Sequence, residues 1–532
     1  MKFVLDLPDG TVGVKIVIAL VSNGYFFLER SLNMNRKNVW ANYNATQLKA
    51  VDKFAEDYKK FLDNSKTERE AIDTIVNEIE EAGYRELNTL IGTKTKLKKG
   101  DKVYSVWMNK SIAIFQIGSD PIEAGLNILG AHIDSPRLDV KQNPLYEDNG
   151  FAYLDTHYYG GIKKYQYVAM PLAIHGVVVK KDGTTVQLNV GEDEDDPVFF
   201  VSDLLIHLAA DQMSKKASNV IEGEALDLIV GHRPFVVESK EKEKAEKADS
   251  KLSAGEKYAI AAEKEEKAEC GKLSGAVRRG VVALLNDLYG IEEEDFISAE
   301  LEIVPAGKAR DAGFDRSMIL GYGHDDRVCA YPSMRAILEA KNLKRTACCI
   351  LVDKEEIGSV GATGMRSHFF ENAVAELMNL TKEGYNDLSL RRCLANSCML
   401  SSDVSAGFDP TYASSFEKKN AAFLGEGLVF NKFTGSRGKS GSNDANAEFI
   451  AEIRRAFEKD GIIYQTAELG KVDVGGGGTI AYILALYGMN VIDSGVAVLN
   501  MHAPWEAIDK ADLYEAKRGY VSFLQNIDFR NE

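Results

Sequence analysis

Apolar and polar positions along the chain follow two periods that alternate. From Asn44 to about Gly83, the residues Ala50, Val51, Phe54, Tyr58 and Phe61 recur at three- and four-residue spacing, which predicts helix. Within that stretch Thr67 followed by Glu70 predicts a capped helix start. Short apolar runs rich in β-branched residues come next: Ser105–Met108, Ile112–Ile117 and Leu126–Ala131 read as strands. The later chain repeats the alternation. Val328–Ala340 is helix-like, Thr346–Val352 reads as a buried strand, and Val496–Asn500 as another strand. Alternating strands and helices predict an α/β fold, a mixed sheet flanked by helices.

The middle has a different texture. Tyr158-Tyr159-Gly160-Gly161 suggests a turn, Val177–Val179 a strand, and Ala299–Val304 alternates like a half-buried strand. Gly275–Leu288 is the clear helical pattern there. This predicts a β-rich domain at 146–310, inserted into a discontinuous domain formed by 34–145 and 311–532. Glu238–Lys272, dominated by Lys, Glu and Ala, reads as a solvated helix or loop and not as a binding patch. Residues 1–33 read as an extension outside the core, or as the result of a start codon upstream of Met34. Their apolar run Val12–Val21 is interrupted by Lys15 and too short to span a bilayer, and Pro8-Asp9-Gly10 also fits a hairpin turn.

Length and charge narrow the function. The 532 residues suffice for two or more domains. A net charge of −16 argues against nucleic acid or an anionic membrane as partner. Six cysteines in so long a chain, mostly in apolar surroundings, fit a reducing compartment and predict a cytoplasmic protein without a disulfide framework.

The chemistry gathers where strands end. Leu126–Ala131 leads into His132-Ile133-Asp134, and side chains two apart on a strand share a face, so a carboxylate sits beside a histidine. Thr346–Val352 leads into Asp353-Lys354-Glu355-Glu356-Ile357-Gly358. Adjacent Glu355 and Glu356 cannot point the same way on an extended chain and can take different tasks. Further candidates are Asp325 in Gly323-His324-Asp325-Asp326-Arg327, Asp403 after Ser401-Ser402, and His502 after Met501. Each is weak alone: a charged loop or a structural histidine is commoner. Together His132, Asp325, Glu356, Asp403 and His502 suit two divalent metals that share one carboxylate, with zinc first and cobalt or manganese as substitutes. Such a pair would polarise a carbonyl and hold a bridging water, and the spare Glu355 would take its proton. Gly475–Gly478 lacks the Lys-Ser/Thr ending of a phosphate-binding loop. His207 lies in the apolar run Leu204–Leu208, where a packed core histidine is the ordinary expectation.

The segments His132-Ile-Asp-Ser-Pro, His324-Asp-Asp-Arg, Asp353-Lys-Glu-Glu-Ile-Gly, Ser401-Ser-Asp-Val and Met501-His-Ala-Pro-Trp-Glu resemble the aspartyl aminopeptidase family of dinuclear zinc exopeptidases, in a bacterial-type member. The resemblance runs from about Trp40 to the C-terminus and leaves out residues 1–33 and the Lys/Glu segment. It implies that Asp325 bridges two metals, that His132 and Asp403 complete one site, and that Glu356 and His502 complete the other. Asp134 would orient His132 and Glu355 would be the general base. The Asp325–Asp326 peptide would be cis. The implied fold is an α/β zinc-peptidase domain with an inserted dimerisation domain, and the implied assembly a dimer-based tetrahedral dodecamer. The family also carries a histidine in a Leu-x-Ile-His-Leu context that reaches a neighbouring subunit's active site, and His207 matches it. Three departures stand out: Ala406 lies near a family histidine, Asp326 follows the bridging Asp where Asn is usual, and the segment Arg437–Asp444 does not preserve the pattern of acid-specific members around Lys439. Acidic and neutral N-terminal residues both stay open. The expected function is a metal-dependent aminopeptidase acting on peptides. A deacylase of N-acyl amino acids, or an inactive peptide-binding or assembly protein, is the alternative, and metal content separates the latter.

Overall fold

The computed structural model describes residues 37–234, 275–382 and 384–529. The expectations for residues 1–33 and for the Lys/Glu segment at 238–272 lie outside them.

A nine-stranded mixed sheet forms the frame. Its order is Arg85–Glu86, Lys102–Trp107, Ser111–Gln116, Thr346–Val352, Leu126–His132, Cys398–Ser402, Asn490–Gly495, Leu428–Asn431, Tyr464–Ala467. The apolar run Thr346–Val352 is buried along its whole length because the sheet is covered on both faces. Cys349 and Leu351 face one core with the helices Ala45–Asp63, Glu68–Glu81, His324–Glu339 and Lys510–Asn526. Cys348, Ile350 and Val352 face the other, with the helices Phe369–Thr381 and Asp387–Ala395. The expected capping box is present: the Thr67 side chain accepts from the Glu70 N–H, and the Glu70 carboxylate accepts from the Thr67 N–H. The five described cysteines are buried and unbridged. No helix among the described residues is long and apolar enough to cross a membrane.

Register brings the chemistry to one edge. Thr346–Val352 runs parallel to Leu126–His132 with Val352 opposite His132. Cys398–Ser402 is parallel on the other side with Ser401 opposite Gly130, so Asp403, two residues on, reaches the level of His132. The C-terminal strand ends of the sheet thus share one crevice, where open α/β sheets place their sites.

Two smaller sheets close on that edge. A five-stranded sheet, Arg310–Ala312, Met318–Gly321, Glu506–Asp509, Ala497–Leu499 and Ser405–Ala406, carries the loops of Asp325 and His502. The helix expected from Val328 begins earlier, at His324, but Asp325 and Asp326 have non-helical backbone across a cis peptide bond. The middle of the chain builds a six-stranded antiparallel sheet from Arg137–Asp148 through Ala299–Pro305, with its own apolar core and the helix Ala276–Tyr289 against it.

Gly495 sets how closely Asp403 can approach. The Asp403 N–H donates to the Ser494 carbonyl at 2.9 Å, and a Cβ on Gly495 would overlap the Asp403 carbonyl group. Gly495→Ala should therefore lower the denaturation midpoint, by about 1–3 kcal/mol of stability as overpacked cores do; a wild-type midpoint would show that the Asp403 loop yields freely.

Candidate metal centre

Five chain segments deliver the polar cluster. His132 ends its strand with Nδ1 3.0 Å from the Asp134 backbone carbonyl and 3.3 Å from Asp134 Oδ1. A carbonyl can only accept, so Nδ1 carries hydrogen and Nε2 is turned to Asp325 Oδ1 at 3.1 Å and Asp403 Oδ1 at 3.8 Å. His502 sits at φ 65° on the loop between Ala497–Leu499 and Glu506–Asp509. Its Nδ1 donates to the Gly161 carbonyl at 2.8 Å, and Nε2 faces Asp325 Oδ2 at 3.3 Å and Glu356 Oε2 at 3.5 Å. Each Asp325 oxygen therefore faces a different imidazole.

Backbone contacts hold these groups in place. The Asp325 carbonyl accepts from the Ser135 hydroxyl at 2.6 Å, and the Asp325 N–H donates to Glu506 Oε2 at 3.0 Å. Glu506 Oε1 accepts the His502 N–H at 2.7 Å, so one buried carboxylate fixes the main chain of both residues. Glu355 and Glu356 open a single 3-10 turn after Lys354, whose φ is 70°. Their N–H groups donate to Asp134 Oδ1 and Oδ2, both at 3.2 Å, and Asp134 Oδ2 also accepts the Tyr159 hydroxyl at 2.8 Å. Asp134 thus joins the His132 strand end to the Glu355-Glu356 turn.

The charges are crowded and out of water. Burial, then the Asp403 charge, pushes Glu355 up to about 8. Burial, then Asp325, does the same to Glu506. Glu356 and Asp326 are held well above the usual carboxylate range by burial and by Asp325 and Asp403 respectively. Burial would lower His502, but the Asp325 hydrogen bond and the Glu356 charge outweigh it and raise the imidazole to about 10. Neither Asp326 oxygen meets an N–H or O–H donor, nor does Glu356 Oε1, although all are buried. Such groups call for a positive partner. Ligand atoms of His132, Asp326 and Asp403 lie within 4.8 Å of one another, as do those of His132, Asp325 and Glu356. Imidazole and carboxylate in these trios fit zinc.

The sequence matches the model of the aminopeptidase I zinc metalloprotease family, M18, over residues 61–524. The chain belongs to the M18 family. It is a metallo-aminopeptidase, and zinc is the metal of its family. A probable M18 family aminopeptidase 1 of Clostridium acetobutylicum is 57% identical over 490 residues, covering 92% of this chain and 98% of that protein. The crystal structure of aminopeptidase I from that organism superposes with a TM-score of 0.79 over 92% of this chain and 99% of that one, at 56% identity. The M18 aminopeptidase structure from Thermotoga maritima gives 0.81 over 93% and 100%, at 40% identity. The yeast mApe1 dodecamer, 18% identical with a TM-score of 0.67 over 88% and 96%, shares the fold.

Of the M18 site residues expected from sequence, His132, Asp134, Asp325, Glu355, Glu356, Asp403 and His502 converge. His207 does not join their hydrogen bonds or ion pairs. It stands exposed on the 3-10 turn Ile206–Leu208, so it is not a packed core histidine. Sequence reasoning missed Asp326 as a member of the cluster, and it assigned no task to Glu506 although it quoted both. Nothing in the sequence distinguishes either from an ordinary acidic residue. Tyr159 and Gly161 gave no signal, because they lie at the end of a strand of another sheet and in the turn after it.

Protonation of Glu355 and Glu506 supplies a test with a definite sign. Carboxylates whose folded pKa is raised stabilise the fold at low pH and lose that contribution as pH rises through the folded value, here about 8. His502, raised to about 10, acts in the same direction above its ordinary value. Chelator-treated protein should therefore melt lower at pH 8.5 than at pH 6, and added zinc should raise Tm more at pH 8.5. A flat Tm between those pH values would mean the cluster relaxes when metal is removed.

Proposed function

We propose that this M18 enzyme removes N-terminal residues from peptides at a centre for two metal ions, with Asp325 between them. One observation carries the reading: Asp325 offers Oδ1 to His132 at 3.1 Å and Oδ2 to His502 at 3.3 Å. His132 and Asp403 would complete one half, Glu356 and His502 the other, with Asp326 close to the first. Zinc held by these residues would supply Lewis acidity to the scissile carbonyl and make a nearby water easier to deprotonate.

The remaining work falls to side chains. Asp134 fixes the His132 ring so that Nε2 points inward. Glu355 differs from Glu356 in having no ion pair to His132 or His502 within 4 Å, which leaves its carboxylate for proton transfer. We assign it as the base that deprotonates the attacking water and then protonates the leaving amine.

The assembly proposed is a dimer-based homo-oligomer, with residues 146–310 as the dimerisation domain. A dodecamer is the state of the yeast relative's structure. Leu204, Leu205, Ile206 and Leu208 are all exposed around His207, the last two at 68%, which supports covering of this turn by a second copy. There His207 would reach the neighbour's centre and steady the charge that develops on the carbonyl oxygen. The buried, unbridged cysteines support a cytoplasmic setting.

Two substitutions test these roles. Glu355→Gln should keep the fold and both zinc ions and lose about 10²–10⁴-fold in turnover; near-normal turnover with metal bound would remove Glu355 from the chemistry. His207→Ala should cut turnover with Tm and metal content unchanged, since an exposed side chain adds little to the fold. Wild-type turnover by an assembled His207→Ala enzyme would sink the role in trans.

A further inference from the structure

The six-stranded sheet reaches the metal centre through one short segment. Its hairpin pairs Arg137 with Tyr159, which sets the end of strand Phe151–Tyr159 beside the chain that has just left His132. The strand stops there, and Tyr159-Gly160-Gly161 runs on across the cluster. Three consecutive residues then meet three different site residues. The Tyr159 hydroxyl donates to Asp134 Oδ2 at 2.8 Å. Gly160 packs on Glu356: a Cβ there would lie 3.3 Å from Glu356 Oε2, and its φ of 74° already favours glycine. The Gly161 carbonyl accepts from His502 Nδ1 at 2.8 Å.

We propose that this Tyr-Gly-Gly strap is a positioning element for both halves of the centre, so that zinc affinity depends on the second sheet. The inference rests on the metal centre proposed above. The strap acts through the partners of each imidazole. Asp134 orients His132 and also holds the N–H groups of Glu355 and Glu356, so a shift of Asp134 moves one half directly and the Glu356 turn with it. At the other half, a carbonyl on Nδ1 keeps hydrogen on that nitrogen and makes Nε2, which faces Asp325 and Glu356, the nitrogen that would bind a metal. Gly160 lets the backbone come this close. The strap is itself anchored: Tyr159 is buried, and the Arg137 guanidinium lies 4.0 Å from the centre of its ring. Arg137 in turn pairs with Glu302 at 3.0 Å within the same sheet.

The test uses the full chain with zinc. Tyr159→Phe removes one oxygen and keeps the ring under Arg137. Gly160→Ala presses on Glu356 without touching the hydroxyl. Tyr158→Phe, on an exposed neighbour, is the control. Zinc affinity is read by competition with a chromogenic chelator, and the cobalt-loaded absorption spectrum reports ligand geometry. Both strap variants should bind zinc about 10–100-fold more weakly, the usual loss on removing an outer partner of a metal ligand, with an altered cobalt spectrum. Tyr158→Phe should match wild type. Zinc affinity within twofold of wild type and an unchanged cobalt spectrum in folded Tyr159→Phe would overturn the proposal, even if Tm fell, because that is what a merely structural tyrosine would give. Should Gly160→Ala fail to fold, Tyr159→Phe decides alone. Failure of the wild-type protein to bind zinc would instead overturn the metal centre on which the strap acts.

Discussion

Buried negative charge is the constraint on which the rest of this structure depends. Asp325, Asp326, Glu356 and Glu506 are withdrawn from water at one strand-end crevice, with Glu355 and Asp403 beside them. Two carboxylates about 4 Å apart repel by about 4 kcal/mol at an effective dielectric near 20. A few such pairs equal the whole stability of a typical domain, about 5–15 kcal/mol. His132 and His502 offset part of it, and the raised carboxylates show how much remains. Protonation relieves part of that repulsion and bound cations would relieve the rest; zinc is the metal of the M18 family.

The architecture is arranged around that need. Parallel register in the large sheet brings His132, the Glu355-Glu356 turn and Asp403 to one level. The five-stranded sheet brings Asp325 and His502 from above and ties them together through Glu506. The six-stranded sheet adds Tyr159-Gly160-Gly161 from the side. Left-handed backbone at Lys354, His502, Gly160 and Gly323 lies at the bends, where the chain must turn sharply to point polar groups inward.

Much of this was legible in the sequence, for identifiable reasons. The run Thr346–Val352 reads as a doubly buried strand because nothing polar interrupts it, and a carboxylate pair directly after it has to lie at the sheet edge. Thr67 and Glu70 mark a helix start by local chemistry alone. His132, Asp325, Glu356, Asp403 and His502 could be gathered as candidates because they follow predicted strands or lie in loops, but which of them share a metal was legible only through the family resemblance, since no spacing rule joins positions hundreds of residues apart. Other features were not legible. Glu506 and Asp326 bind backbone or lie orphaned next to the candidate ligands, and an acid in either role looks like any other acid in a string of letters. The Tyr159-Gly160-Gly161 turn looked like ordinary punctuation between strands, because its partners come from a different sheet. His207 sat in an apolar run that suggested a core, yet the run is exposed, which only three-dimensional packing reveals.

The central claim is that Asp325 divides its two oxygens between two ions. Anomalous diffraction at the zinc edge from zinc-loaded crystals tests it most directly. The account predicts two peaks flanking the Asp325 carboxylate, one on the side of His132 and Asp403, the other on the side of Glu356 and His502. A single peak, or two peaks of which Asp325 touches only one, would contradict it.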